Sequence, residues 1–195
     1  DIIKFRIDEI QQLSNPKAYV YQLLRAYNFT EFNDVYNLLS AQAGKQVFSK
    51  THVILKDRDF LILSIREVAS KETQELKFHI SKNTAKITYP IHLAFEEVTA
   101  QKIQNKNTIY VSKESLKFPL IVRKWRNGDY FHPTGMQGKK KLSKYFKDEK
   151  LSLLEKNNTW LLCNNNDAII WIINRRQDSR FKVKSDSEIT KIYLK

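Results

Sequence analysis

Apolar positions in the first 45 residues recur every three or four places, the spacing of short amphipathic helices. Ile7, Ile10 and Leu13 form one stripe, which Ser14-Asn15-Pro16 ends. Asn15 suits an N-cap with Pro16 at the first helical position, and Val20, Leu23, Leu24 and Tyr27 supply the inner face of that helix. Thr30 is placed to cap a third helix carrying Val35, Leu38 and Leu39, with Gly44 as its stop. Beyond Gly44 the period drops to two. Residues 52–55 and 60–63 read as strands around the polar turn Lys56-Asp57-Arg58-Asp59. Leu76, Phe78 and Ile80 alternate, as do Ile87, Tyr89, Ile91, Leu93 and Phe95, where Pro90 marks an edge strand or a bend. Ile109 and Val111 give a further short strand, and 116–122 leads into the remainder. There the pattern predicts a helix from about Lys140 to Lys147 with Leu142, Tyr145 and Phe146 inward. Strands are expected at 160–163, 168–173, 180–183 and 189–194, with 164–167 a turn that accepts positive φ.

These elements predict an α+β chain: a short helical N-terminal unit with a β segment, then a small mixed α/β C-terminal domain. The expected boundaries are 1–67 for a helical domain ending in a β-hairpin, 68–112 for a β-rich connector, and 113–195 for a basic α+β domain. Apolar residues thin out at 68–75 and 99–107, where proteases are expected to cut first. The 195 residues suffice for one large or two small domains, and 42% hydrophobic content excludes a disordered tail. The sequence opens on Asp1 rather than methionine, which points to a piece of a longer protein. The longest apolar run, 168–173, is strand-sized, so no membrane span is expected, and nothing resembles a secretory signal. Cys163, the single cysteine, has no partner for an internal disulfide, in keeping with a reducing cytoplasm.

Charge changes the picture most. The chain carries a net +13, and the excess is uneven: 15 basic against 12 acidic residues over 1–112, but 19 against 9 over 113–195. A solubilising surface accounts poorly for such concentration. A polyanionic partner accounts for it better. No amphipathic helix offers the Trp/Phe/Leu face of an interfacial binder, so nucleic acid ranks above a membrane surface.

The sequence lacks a GxxxxGK[ST] or GxGxxG loop and has four glycines in all; His52, His79, His92 and His132 are scattered without metal-ligand spacing. No catalytic residue, metal site or cofactor is therefore assigned to this chain. The informative stretch is FPLIVRKWRNGDYFHPTGMQGKKKLSKYFKDEK, 118–150. Arg123, Lys124 and Arg126 come off a strand into the Asn127-Gly128 turn, where Asp129 is placed to pair with an arginine and orient it. Trp125, Tyr130 and Phe131 interleave these charges, as base-stacking residues do, although about two of the three should be core. Gly135 and Gly138 would let backbone approach a ligand, and Lys139, Lys140 and Lys141 fall at an expected helix start. Three lysines there repel one another and oppose the helix dipole, penalties that a bound phosphate would reverse; the alternative is a solvated cluster. Arg175, Arg176, Arg180 and Lys182, with Lys184 beside them, form a second basic group that either grips phosphate or pairs with Asp178 and Asp186.

The string RKWRNGDYFHPTGMQGKKKLSKYF from Arg123, followed by IWIINRRQDSRFKV from Ile170, resembles the C-terminal domain of bacterial tRNA(Ile)-lysidine synthases. The likeness is specific over 118–183 and looser over 1–117. Tyr130 stands where many relatives have Arg, Lys144 where Asp is usual and Asn174 where Gly is usual, and Leu151-Ser152-Leu153-Leu154 lacks the common Pro-Arg. The resemblance implies that the whole protein is an ATP- and magnesium-dependent ligase joining lysine to the wobble cytidine of an isoleucine tRNA with a CAU anticodon. It places that chemistry in an N-terminal domain with a Ser-Gly-Gly-x-Asp-Ser loop, a motif this sequence does not contain. The present chain would be catalytically silent and would hold the tRNA acceptor stem and body for its own N-terminal domain. The residues expected to touch tRNA are Arg123, Lys124, Arg126, Lys139, Lys140, Lys141, Arg175, Arg176, Arg180 and Lys182. Two rivals are a stand-alone basic RNA- or protein-binding module and a metal-dependent nuclease built on Asp129, Asp148 and Lys150.

Overall fold

A computed structural model describes residues 2–66, 76–100, 105–184 and 188–195. They fall into two units, divided between Thr73 and Gln74. The first contains β1 (Ile2–Arg6), α1 (Ile7–Gln11), α2 (Pro16–Leu24), α3 (Phe32–Asn37), β2 (Gln46–Phe48), β3 (His52–Asp57) and β4 (Phe60–Ile65). Its antiparallel sheet runs β1-β4-β3-β2. Ile7, Ile10, Val20, Leu24, Val35 and Leu38 pack on Ile54, Leu61 and Leu63 of that sheet. Asn15 caps α2 by accepting from the Ala18 N–H at 3.2 Å, and Pro16 opens the helix.

Four details differ from the pattern. A strand precedes the helices, because Ile2–Arg6 finds its ladder on β4, far away in sequence. Thr30 does not cap α3; Glu31 holds that position without a side-chain hydrogen bond, and α3 gives way to a 3₁₀ turn at Leu38–Ser40. Gly44 therefore stops no helix; its N–H donates to the Lys56 carbonyl at 2.7 Å beside the β2–β3 pair. Leu23 is exposed, so the inner stripe of α2 narrows to Val20 and Leu24.

The second unit contains β5 (Lys77–Ile80), β6 (Lys86–Ile87), β7 (Leu93–Val98), β8 (Thr108–Ser112), β9 (Leu120–Lys124), β10 (Tyr130–Phe131), β11 (Lys140–Lys141), α4 (Leu142–Asp148), α5 (Leu153–Asn157), β12 (Trp160–Cys163), β13 (Ile169–Ile172) and β14 (Ile189–Leu194). Two antiparallel four-stranded sheets, β13-β12-β9-β5 and β6-β7-β14-β8, enclose one core. Leu120, Val122, Leu162 and Trp171 meet Leu93, Ile109, Val111 and Ile192 there. The opposite face of the first of these sheets, with Ile121, Leu161, Cys163, Ile169 and Ile172, is covered by Phe131, Leu142, Tyr145 and Phe146. That sheet is thus a middle layer buried on both sides, which is why its strands read as continuous apolar runs.

The expected connector is not one. Residues 68–75 and 101–104 lie outside the described residues, but β5 pairs with β9, and β7 and β8 flank β14. Hydrogen-bond ladders therefore join this segment to the C-terminal residues in one unit. Of the two stretches expected to be protease-sensitive, 68–75 falls outside the described residues entirely and 99–107 does so in part. The alternation over 87–95 belongs to two strands, paired Ile87 to Leu93, with Pro90 in the bend. Residues 180–183 form no strand either. Ser179–Phe181 is a 3₁₀ turn, begun by the Asp178 side chain accepting from the Arg180 N–H, and Lys182 alone bridges to Val111.

Candidate nucleic-acid interface

Strand β9 alternates its side chains, so Arg123 follows Ile121 onto the face that α4 covers. Its side chain is 2% exposed. Such burial is tolerable only if the guanidinium donors are met. They are: Nη1 and Nη2 each donate to an Asp129 oxygen at 2.8 Å, Nε donates to Asp167 at 2.9 Å, and Nη1 also reaches the Lys124 carbonyl at 3.0 Å. Burial works to lower the Arg123 pKa, but the hydrogen bonds and charge of Asp129 and Asp167 outweigh it and hold the pKa above its ordinary value. Asp129 accepts the Arg126 N–H at 2.8 Å, closing the Asn127-Gly128 turn, and Arg126 Nη2 reaches Asp167 at 2.7 Å. Asp167 itself sits at φ +63° in the β12–β13 turn. The expected Asp129–arginine pair is present, and it is made by Arg123, which was expected to touch tRNA but lies buried with its guanidinium donors met within the protein. Arg126 and Lys124 are half-buried, the Lys124 ammonium lying 4.2 Å from the centre of the Trp160 ring.

The β10–β11 register sets Tyr130 opposite Lys141 and Phe131 opposite Lys140. Phe131 is fully buried, and Lys140, its partner, donates to Asp148 at 2.8 Å with only 17% of its side chain exposed. The Lys140 hydrogen bond holds the Asp148 carboxyl below its usual range. Lys139 and Lys141 are exposed, and neither has a carboxylate partner among the described residues. The three lysines do not occupy the first turn of a helix as expected. Lys140 and Lys141 are strand residues, and α4 begins at Leu142. The loop between the strands is exposed from Thr134 to Lys139. Gly135 and Gly138 hold φ of +81° and +84°, and a methyl group added at either Cα would meet nothing within 4 Å, so they shape the turn and leave its surroundings open.

Asp178 organises the second basic group. It is completely buried and accepts from the His132 N–H at 2.9 Å and from Arg180 N, Nε and Nη2 at 2.9, 3.0 and 2.8 Å. The Ser179 N–H donates to the His132 carbonyl at 2.8 Å. The hairpin and the Arg180 turn are thereby joined, with 40% of the Arg180 side chain still exposed. Of the two readings of this group, pairing with Asp178 holds for Arg180; Asp186 lies outside the described residues. Arg175 is tied to Glu155 of α5 at 3.5 Å, Arg176 is exposed, and Lys182 is half-buried. Sequence reasoning did not assign Asp167 a role, and nothing local marks an aspartate that braces arginines more than 40 residues away.

The nuclease arrangement is not assembled. Asp129 is clamped by Arg123 and Asp148 by Lys140, and no group of three His, Cys, Asp or Glu able to hold a metal gathers among the described residues. Among them, no helix is long and apolar enough to cross a membrane.

Known proteins can be set beside this geometry. Residues 1–67 match the family model described as TilS substrate binding domain, and 120–194 the model described as TilS substrate C-terminal domain. The tRNA(Ile)-lysidine synthase of Parabacteroides distasonis is 36% identical over 191 residues, covering 95% of this chain and 42% of that protein. Its counterpart in Bacteroides thetaiotaomicron is 31% identical over 190 residues, covering 96% and 42%. That of Porphyromonas gingivalis is 27% identical over 199 residues, covering 96% and 43%. The chain thus spans less than half the length of these curated relatives. A crystal structure described as the TILS C-terminal domain shares the fold, with a TM-score of 0.51 at 18% identity over 60% of this chain and 95% of that one. The chain belongs to the tRNA(Ile)-lysidine synthase family, of which it carries the substrate-binding and substrate C-terminal domains.

Proposed function

We propose that this chain grips the acceptor stem and body of an isoleucine tRNA with a CAU anticodon. In doing so it presents the anticodon loop to an N-terminal domain of the same cytoplasmic protein, which joins lysine to the wobble cytidine. ATP and magnesium belong to that other domain. In this chain Asp129, Asp148, Asp167 and Asp178 are each committed to an arginine or lysine, which supports that assignment. The chain by itself is expected to form no lysidine.

The observation that carries the reading is the pair of exposed lysines, Lys139 and Lys141, without carboxylate partners among the described residues, on the β10–β11 hairpin. The exposed guanidinium of Arg180 is fixed to the same hairpin through Asp178. Exposed lysines without a carboxylate partner, beside an arginine oriented by its own, suit a phosphate backbone, and A-form RNA is recognised largely through backbone and shape. Binding of isoleucine tRNA across a salt series tests this with the K139A/K141A double variant, which spares the Lys140–Asp148 pair. Each lost phosphate contact flattens the slope of log K against log salt by about 0.9, so the slope should become shallower by about 1.8. Non-cognate tRNA should lose affinity to the same degree, because phosphate contacts position without specifying. An unchanged slope in a folded variant would remove these lysines from the interface.

A further inference from the structure

Of the three aromatic residues among the charges of 123–131, two are fully accounted for by packing. Phe131 is completely buried, 5.2 Å from the Tyr145 ring, and Trp125 stands edge-on to Phe146 at 5.1 Å. Tyr130 is different: it is 42% exposed. Its ring carries the Lys139 ammonium at 4.6 Å, has His132 at its edge at 5.9 Å, and lies opposite Lys141 in the ladder. Met136, at 51% exposure, is a second apolar side chain on the loop that this hairpin closes. A lone exposed aromatic needs no explanation. An aromatic ring bracketed by two cations without carboxylate partners, on a hairpin fixed by the buried Asp178, has the parts of a stacking platform for nucleic acid.

We propose that Tyr130 is a stacking site for an unpaired RNA base, with Lys139 and Lys141 taking the phosphates on either side of that nucleotide. The inference rests on the reading that this surface binds RNA and adds to it a single-stranded contact. The chemistry is specific in kind. A base within a duplex has both faces covered by its neighbours, so the ring is suited to an unpaired base, which can leave the stack to lie on it. The contact should be indifferent to salt, unlike the contacts of the lysines around it.

The test uses the whole chain with two RNAs that share one double-stranded stem without a loop, one blunt-ended and one with a short 3′ single-stranded extension. The native chain should bind the extended RNA more tightly than the blunt one, and the preference should persist as salt is raised. Tyr130→Leu should weaken binding of the extended RNA by roughly 5- to 150-fold, the range for loss of one base–aromatic stack. It should weaken binding of the blunt RNA much less, and Tyr130→Phe, which keeps a ring beneath Lys139, should restore the preference. Equal binding of both RNAs by the native chain overturns the proposal without need of any variant. So does a Tyr130→Leu loss that is the same for both RNAs, which would mean that the ring only shapes the hairpin. If the native chain binds neither RNA, the broader RNA-binding reading falls and takes this site with it.

Discussion

A guanidinium removed from water loses several kcal/mol of solvation, and Arg123 is tolerated because Asp129 and Asp167 meet its donors in the plane of the group. Replacing Arg123 by Met should therefore cost more than the lost contacts suggest, because Asp129 keeps its charge in a site that is 8% exposed. We expect a loss of about 3–5 kcal/mol in urea unfolding, the usual cost of orphaning one member of a buried pair; a loss below about 1 kcal/mol would contradict this account. Acid should act on the same network. Burial alone would raise the Asp167 pKa, but hydrogen bonds and charge from Arg123 and Arg126 hold it below the ordinary aspartate value. A carboxyl depressed in the folded state adds stability that is complete above its unfolded pKa and is lost as pH falls through the folded one. Stability followed from pH 5 downward should therefore fall less steeply in Asp167→Asn than in the native chain. The residue types of this network were legible in the sequence, and so was the Asp129–arginine pairing. What was not legible is which arginine turns inward, because that depends on α4 covering one face of β9.

At the scale of elements, local periodicity located β3, β4, β12 and β14 well, since each carries its own apolar signal. It failed where a partner or a polar contact decides. Strand β1 exists by virtue of β4, and the 3₁₀ turn at Ser179–Phe181 by virtue of Asp178. It also passed over a readable signal, Ser152-Leu153-Leu154-Glu155. In the structure this is a complete capping box on α5: Ser152 Oγ accepts the Glu155 N–H at 3.2 Å, and Glu155 accepts the Ser152 N–H at 2.8 Å. A five-residue helix depends heavily on such an end. Ser152→Ala should lower stability by about 1 kcal/mol, measured by thermal or urea unfolding. Glu155 also holds Arg175, so the same substitution should loosen that arginine. An unchanged melting temperature would show that packing, not capping, sustains α5.

For the whole molecule, the separate cores matter most. The helical unit packs around Val20, Leu24 and Leu61, whereas the larger unit has one core between its sheets and another beneath α4. Residues 74–195 expressed alone should therefore unfold cooperatively and keep the salt-dependent part of tRNA binding, read by a thermal melt and by titration at several ionic strengths. Failure to fold would mean that its two cores do not suffice without residues 1–73. The domain count was hard to read from the sequence because β5, β7 and β8 precede the strands they pair with by 40 to 100 residues, and no local signal spans that distance. One of those pairings bears on how the protein is made. The last strand, β14, lies inside its sheet, hydrogen-bonded on one side to β7 and on the other to β8. A ribosome delivers β14 well after β7 and β8, so those strands wait with unpaired edges until it emerges, while the helical unit already has every residue of its core. Strand β14 closes the larger unit, and losing it would open a sheet at its middle.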